Sequence, residues 1–234
     1  MLAHHHAARI WVVAVGMVLL IGATGCGSAT SSTGGGGLTK PTDAARAFTD
    51  TVGRTSNFKD VKFDSVTTEV VSGNSTTTRT TYSSTSNPPV IETESTTGGQ
   101  VTGVVNNLAT GILCFTHPAA GQPQTRPGQR GTASQTDPFS TFAGTTGWQF
   151  RPDVSLKGHH DWHISATPPG NTFGGIITFS ENTVDVFIDA TSGKIQTVQI
   201  HSVYTNGGPA PLDVTIVDDN FVYDSGVKIT NCPN

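Results

Sequence analysis

Val184-Asp-Val-Phe-Ile-Asp-Ala-Thr-Ser-Gly-Lys-Ile195 is the stretch from which the architecture can be read. Val184, Val186 and Ile188 alternate with Asp185 and Phe187, the period of a strand that buries one face. Asp189-Ala-Thr-Ser-Gly-Lys194 gathers the residue types that close a hairpin, and Ile195 to Tyr204 returns as the next strand. An antiparallel pair of this kind needs more strands beside it to be stable in water.

The same period runs upstream from Lys59. Val61, Phe63, Ser65, Thr67 and Glu69 alternate with Lys62, Asp64, Val66 and Thr68, and Gly73-Asn74 turns the chain. Ser75 to Ser83, Val90 to Thr97 and Val101 to Val105 follow, separated by Asn87-Pro-Pro89 and Gly98-Gly99. Asn106-Asn107 reads as a tight turn into Leu108 to Thr116. Downstream, Trp162 to Ala166, Ile176 to Phe179, Leu212 to Val217 and Phe221 to Cys232 complete a sheet of roughly nine to eleven strands, with Asn206-Gly-Gly-Pro209 as one of the breaks. The Thr-rich strands suit a meander with one hydrated face, because Thr is β-branched. Two helices are expected. Thr42 caps the segment Asp43 to Val52, whose apolar side is Ala44, Ala45, Phe48 and Val52, and Asp137-Pro138 opens a short one carrying Phe139, Phe142 and Trp148. His117 to Gly131, with three prolines, reads as an exposed loop. The fold class is α+β.

Composition agrees. The 234 residues include 37 Thr and 27 Gly but only 13% charged residues, which excludes a helical bundle or coiled coil. A net charge of −4 without a basic stripe argues against nucleic acid as a partner.

The N-terminus indicates export. Ile10 to Ile21 is an uncharged run of 12 residues. As a helix it reaches ~18 Å, short of a bilayer core, so residues 1–25 read as a signal peptide. Gly22-Ala-Thr-Gly25 before Cys26 resembles a bacterial lipobox, with Ala23 where a large aliphatic residue is usual. That likeness implies lipidation of Cys26, which anchors the chain at the cell membrane because each buried methylene contributes ~0.8 kcal/mol. Residues 26–40 form a Gly/Ser/Thr tether and 41–234 a single domain. Cys114 and Cys232 remain, an even pair in an oxidising compartment, and are expected to form a disulfide worth about 4–5 kcal/mol in the chain-entropy model.

Catalytic chemistry has no foothold. There is no Gly-x-Ser-x-Gly elbow, no His-Glu-x-x-His and no phosphate-cradling Gly run, so no catalytic residue and no cofactor is expected. His159-His-Asp-Trp-His163 is the densest reactive cluster. As a strand it would align His159, Asp161 and His163, but the spacing fits no zinc pattern and a polar turn is the expectation, with no metal. Asp218-Asp-Asn220 lacks the rest of a calcium loop and reads as a hairpin turn.

In the order of its parts the chain resembles the LppX/LprA/LprF/LprG family of mycobacterial lipoproteins, related in shape to LolA-type carriers. The likeness runs over about residues 41–230, from lipobox and tether through helix and meander. It includes the insert Asp137-Pro138-Phe139, the strand ending Ile164-Ser-Ala-Thr-Pro-Pro169, and the hairpin quoted above. The resemblance implies a strongly curved half barrel with helices over its concave face, an apolar cavity between them, and carriage of a lipid or lipoglycan ligand to the outer envelope, with envelope transport or acceptor proteins as partners. Strand alternation nominates Val184, Val186 and Ile188, with Leu212, Val214 and Ile216 on a facing strand, as the cavity wall, and Phe139, Phe142 and Trp148 as its lid. The alternative is that these side chains fill a compact core, and that the domain is a non-enzymatic interaction or sensor module with a protein partner.

Overall fold

The computed structural model describes residues 37–55, 58–118, 120–142, 144–168, 178–205 and 210–230. The expectations for residues 1–25, Cys26, most of the tether, Ile176, the break at 206–209 and Cys232 lie outside the described residues. Among the described residues there is one α-helix, α1 (Ala44–Thr55), and twelve strands. These are β1 (Asp60–Val71), β2 (Asn74–Ser86), β3 (Pro89–Thr97), β4 (Gln100–Asn107), β5 (Ile112–Phe115), β6 (Thr125–Pro127), β7 (Gln149–Phe150), β8 (Val154–Leu156), β9 (His159–Ala166), β10 (Thr178–Asp189), β11 (Ile195–Thr205) and β12 (Leu212–Tyr223). Two 3-10 turns, Ala133–Thr136 and Pro138–Phe142, lie between β6 and β7.

The strands make one open antiparallel sheet in the order β6-β5-β4-β3-β2-β1-β12-β11-β10-β9-β7, with β8 also paired to β9. Each half is a meander of neighbours in sequence. The halves are joined by β1 against β12, in register from Val61 opposite Tyr223 to Val71 opposite Leu212.

Twelve strands replace the nine to eleven expected because short pairings add β6, β7 and β8 at the edges. The first hairpin turns at Ser72-Gly73, both at positive φ (50° and 80°), one residue before the expected Gly73-Asn74. Asn106-Asn107 are not a turn. They end β4, and the chain reverses over Leu108 to Gly111, where the Gly111 amide donates to the Asn107 carbonyl at 2.8 Å and Leu108 is buried. The described part of the His117–Gly131 segment is largely exposed as expected, but Thr125–Pro127 within it pairs with β5 as the edge strand β6.

Two polar clusters also differ from expectation. His159 to His163 open strand β9, and the turn is Lys157-Gly158 before them. Asp218-Asp-Asn220 sit inside β12, where a bulge opposite Lys62 and Asp64 takes up the extra residue and puts Asn220 at φ 58°. The Lys157 ammonium holds this bulge, donating to both Asp219 carboxylate oxygens at 2.7 Å and to Asn220 Oδ1 at 2.6 Å. Neighbouring polar residues can belong to a strand when a cation on one side satisfies them.

In α1 the cap is Asp43, one residue later than expected: its carboxylate accepts from the Arg46 amide at 2.7 Å. The helix continues through Gly53, and its buried side is Ala44, Ala47, Phe48 and Thr51, with Ala45 exposed.

Past Tyr223 the expected last strand does not continue. The Asp60 carboxylate, 7% exposed, accepts from the amides of Ser225 (3.0 Å), Gly226 (3.1 Å) and Val227 (3.2 Å), which turns the tail across the sheet. Replacing Asp60 with Ala strands those amides. It should lower stability by about 1–3 kcal/mol in denaturant titrations and speed amide exchange at Ser225 to Val227 above the rest of the sheet.

Candidate functional site

Register determines which side chains share a face. One row crosses the sheet as Ala166, Val184, Ile200, Ile216, Thr67, Thr78 and Thr97. The next runs Ile164, Val186, Val198, Asp218, Ser65, Thr80 and Ser95. Both rows are aliphatic through β9, β10 and β11 and hydroxyl-bearing through β1, β2 and β3. The helix and the 3-10 turns pack on this face, since Ser84 Oγ and Tyr82 OH, which share its parity, donate to the Thr136 carbonyl at 3.1 and 3.3 Å.

Over the aliphatic half the packing is dense. Phe139, Phe142 and Trp148 join Val184, Val186 and Ile188 in one cluster with Phe48, all between 0% and 8% exposed. Phe48 stacks on Trp148 at 4.2 Å and meets Phe142 edge-on at 6.4 Å. The Trp148 indole donates to the Thr145 carbonyl at 3.1 Å, so the ring is fully committed. Six of the nominated residues are thus brought together, in contact with one another. Leu212, Val214 and Ile216 share the face, but β11 separates their strand from β10, so they do not sit on a directly facing strand. Val214 is buried, while Leu212 and Ile216 are only half-buried.

Beside the cluster a pocket of about 440 Å³ opens between α1 and the 3-10 turns. Its apolar lining is Phe48, Val52, Phe58 and Phe139, and its polar lining includes Ser86, Thr136 and Asp137. Of these, only Phe139 was nominated from strand and insert patterns. Phe48 and Val52 were legible as the apolar side of the expected helix. Phe58 lies outside any periodic segment. Between this pocket and the upper sheet runs a belt of rings, Tyr82 and Phe221 each stacked on Phe63 at 4.7 Å, with Phe139 5.4 Å from Phe221.

Burial dominates the electrostatics of this face. It pushes the Asp218 carboxyl up to about 6, against the hydrogen bond from Ser65. It raises Asp137 as well, where the Phe139 amide opposes the shift, and lifts the Tyr82 and Tyr223 hydroxyls far above the ordinary tyrosine value.

Of the histidine cluster, His159, Asp161 and His163 have the parity of the opposite face, while His160 shares that of Trp162 and Ile164. His163 pairs with Asp185 at 2.7 Å, His160 approaches Asp153 at 3.6 Å, and the fully buried Asp161 accepts from the Leu156 amide at 3.3 Å. Among the described residues no three His, Cys, Asp or Glu side chains converge on a point that could hold a metal. Nor is any helix among them long and apolar enough to cross a membrane.

No family model matches this sequence, and no curated protein does. Solved structures are similar to it. The lipoprotein LppX of Mycobacterium tuberculosis aligns with a TM-score of 0.49 and 13% identity, over 79% of this chain and 97% of its own. LprF of Mycobacterium bovis gives 0.42 and 12%, over 84% and 99%, and a LolA superfamily protein of Nitrosomonas europaea gives 0.32 and 7%, over 81% and 94%.

Asp218 makes stability depend on pH in a defined direction. Its folded value lies above the ordinary 3.8, so the native state holds the proton longer than the unfolded chain does. Stability is therefore greatest below pH 4 with respect to this group and declines as pH rises to about 6, by about 3 kcal/mol. Asp218→Asn should remove that slope and raise the melting temperature at pH 7, measured by thermal unfolding across the range.

Proposed function

We propose that this chain is an exported envelope lipoprotein, anchored through acylated Cys26, whose domain of residues 41–234 binds the apolar part of a lipid or lipoglycan and passes it to an envelope acceptor. The observation that carries this reading is the pocket of about 440 Å³ beside α1, faced by Phe48, Val52, Phe58 and Phe139. Its size falls in the range of about 300–1,000 Å³ usual for small-molecule sites, and a few polar groups join the apolar lining. The half-buried Leu212 and Ile216 add an apolar strip that the core cluster does not cover. In this reading the sheet curves around the ligand, and Phe139, at the edge of both core and pocket, is the lid residue in contact with it. Nothing in the reading calls for catalysis.

A second reading, an envelope interaction module with a protein partner, is favoured by the complete filling of the β9–β11 half, where Ile164, Val184, Val186 and Ile188 are all 0% exposed. The two are separated by ligand binding. The mature chain carrying Cys26→Ser, stripped of copurifying lipid, should bind cis-parinaric acid stoichiometrically. Val52→Trp, which fills the pocket from α1, should weaken that binding about tenfold or more with an unchanged melting curve. Absence of probe binding to the unsubstituted protein would leave the interaction module.

The Cys114–Cys232 bridge also belongs to this proposal. It is supported by the course of the tail: Ile229 packs on the small cluster of Val90, Val105 and Cys114, and the Thr230 amide reaches Glu92 at 3.3 Å. Thiol titration of the denatured, unreduced mature protein should find neither cysteine reactive, and two free thiols would refute the bridge.

A further inference from the structure

The hydroxyl-bearing half of the helix-side face has a chemistry that the pocket does not use. Thr78 and Thr97 share a hydrogen bond between their hydroxyls at 2.7 Å, and Thr80 and Ser95 do the same at 2.8 Å. Each hydroxyl supplies one donor and two acceptor lone pairs, so every such pair still has a proton and several lone pairs to offer. Thr67, Thr78, Thr80, Ser95 and Thr97 are all half-buried, neither withdrawn into a core nor spread on the surface. The Asp218 carboxyl stands in the same row, beside Ser65 and Val198.

Charge narrows the occupant. On β1 to β4 and β10 to β12 no Lys or Arg shares this face: Lys62 and Arg79 occupy positions of the opposite parity. The charges that do share it are acidic, Asp218 within the row and Glu69, paired with Val214, toward the end of β1. A phosphate or carboxylate headgroup would find hydroxyl donors here but no cation on these strands, and it would lie beside the Asp218 and Glu69 carboxyls. A cation would meet, within these rows, a single half-buried carboxyl already hydrogen-bonded by Ser65. A neutral polyol instead matches both features, donating to Asp218 and exchanging hydrogen bonds with the threonines. The hydroxyl strip adjoins the half-buried Ile216 and Leu212, so one amphiphile can place its polar and apolar parts side by side on a single face.

We infer that Thr67, Thr78, Thr80, Ser95, Thr97 and Asp218 form a recognition surface for an uncharged, polyhydroxylated headgroup, and that this surface selects neutral amphiphiles over anionic ones. The inference rests on the reading that this face binds amphiphiles, and adds to it which headgroup is accepted and which residues choose it.

The test compares dodecyl maltoside with dodecyl phosphate, each below its micelle concentration, by calorimetric titration of the mature Cys26→Ser chain. The maltoside should bind about tenfold more tightly. Thr80→Val with Ser95→Ala should erase the preference while cis-parinaric acid binding stays unchanged, because the pocket beyond the ring belt is untouched. Thr80→Lys, which sets a cation among the hydroxyls, should invert the preference, and it serves as an independent test should the double variant fold poorly. Equal or tighter binding of the phosphate by the unsubstituted protein overturns the inference. So does a preference that survives in a folded double variant or in the lysine variant. If cis-parinaric acid binds and no headgroup preference exists, the inference alone falls. If neither that acid nor either amphiphile binds, the carrier reading falls with it.

Discussion

The pairing of β1 with β12 joins two hairpin meanders into one sheet. Ten residue pairs connect strands separated by well over a hundred residues of chain, and every other long strand pairs with its sequence neighbour. Loop-closure entropy grows only slowly with length, so a contact this distant is affordable when it is long and regular. Because side chains alternate faces with a strict period of two, the register of this single pairing decides whether the Thr-bearing rows of β2 and β3 lie on the same face as the valines of β10 or on the other. A slip of one residue would turn Ser65 and Thr67 outward and bring Val66 in. The bulge at Asn220, held by Lys157, is the device that fixes the register where the two meanders meet.

From that join the face divides into two chemistries. Toward β9 the rows are Val, Ile and Ala under α1 and the second 3-10 turn, where burial removes apolar area at about 25 cal/mol per Å² and the rings of Phe48, Phe142 and Trp148 complete the packing. Toward β3 the same rows become Thr and Ser, which keep the β-branched or small shape a strand requires but bond to one another across strands. Half-buried hydroxyls of this kind bond to one another and keep capacity for solvent, so they need no covering layer. Helical cover is therefore required over one half of the face and optional over the other, and the 3-10 turns stop at Tyr82 and Ser84.

Much of this was legible in the residues. Alternation located eight of the long strand segments, and the Asp-Thr-Ser-Gly composition of 189–193 located the hairpin whose Asp189 carboxylate accepts from the Thr191 amide at 2.9 Å. The failures share a cause. Asp218-Asp-Asn220 and His159-His-Asp-Trp-His163 read as turns because local polarity usually marks solvent, whereas Lys157, Ser65 and Asp185 supply partners from elsewhere in the chain to Asp219, Asp218 and His163. Asn106-Asn107 has the composition of a turn, but the backbone reverses where Gly111 can take φ 71°. The pocket was half legible: Phe48 and Val52 followed from helical period, while Phe58 depends on where β1 begins relative to α1, which no local pattern encodes. The pairing of the meanders, the most consequential feature, has no local signature at all.

Asp218 is the position where sequence economy and structure diverge most. Its neighbours in the row are Val198 and Ser65, and an aliphatic residue or a threonine would suit the strand better than a carboxyl whose burial lifts its protonation toward neutrality. Ser65 supports it with a hydrogen bond, and on β1 and β12 no Lys or Arg shares this face, while Lys62 on β1 and Lys157 in the turn between β8 and β9 act on the reverse side. A half-buried carboxyl without a cationic partner lowers stability when it is ionised. It persists in folds mainly where geometry or recognition requires it. The bulge that reorders β12 begins at the next residue, so the chain carries the structural means to aim Asp219 and Asn220 outward to Lys157 while keeping Asp218 inward beside the threonines. Were the inward carboxyl merely tolerated, the outward salt bridge one position on would be its natural refuge. That one is aimed at the cation and its neighbour at the hydroxyls is a division of labour within three residues, and it is the geometry on which the inferred recognition by the polar half of this face rests.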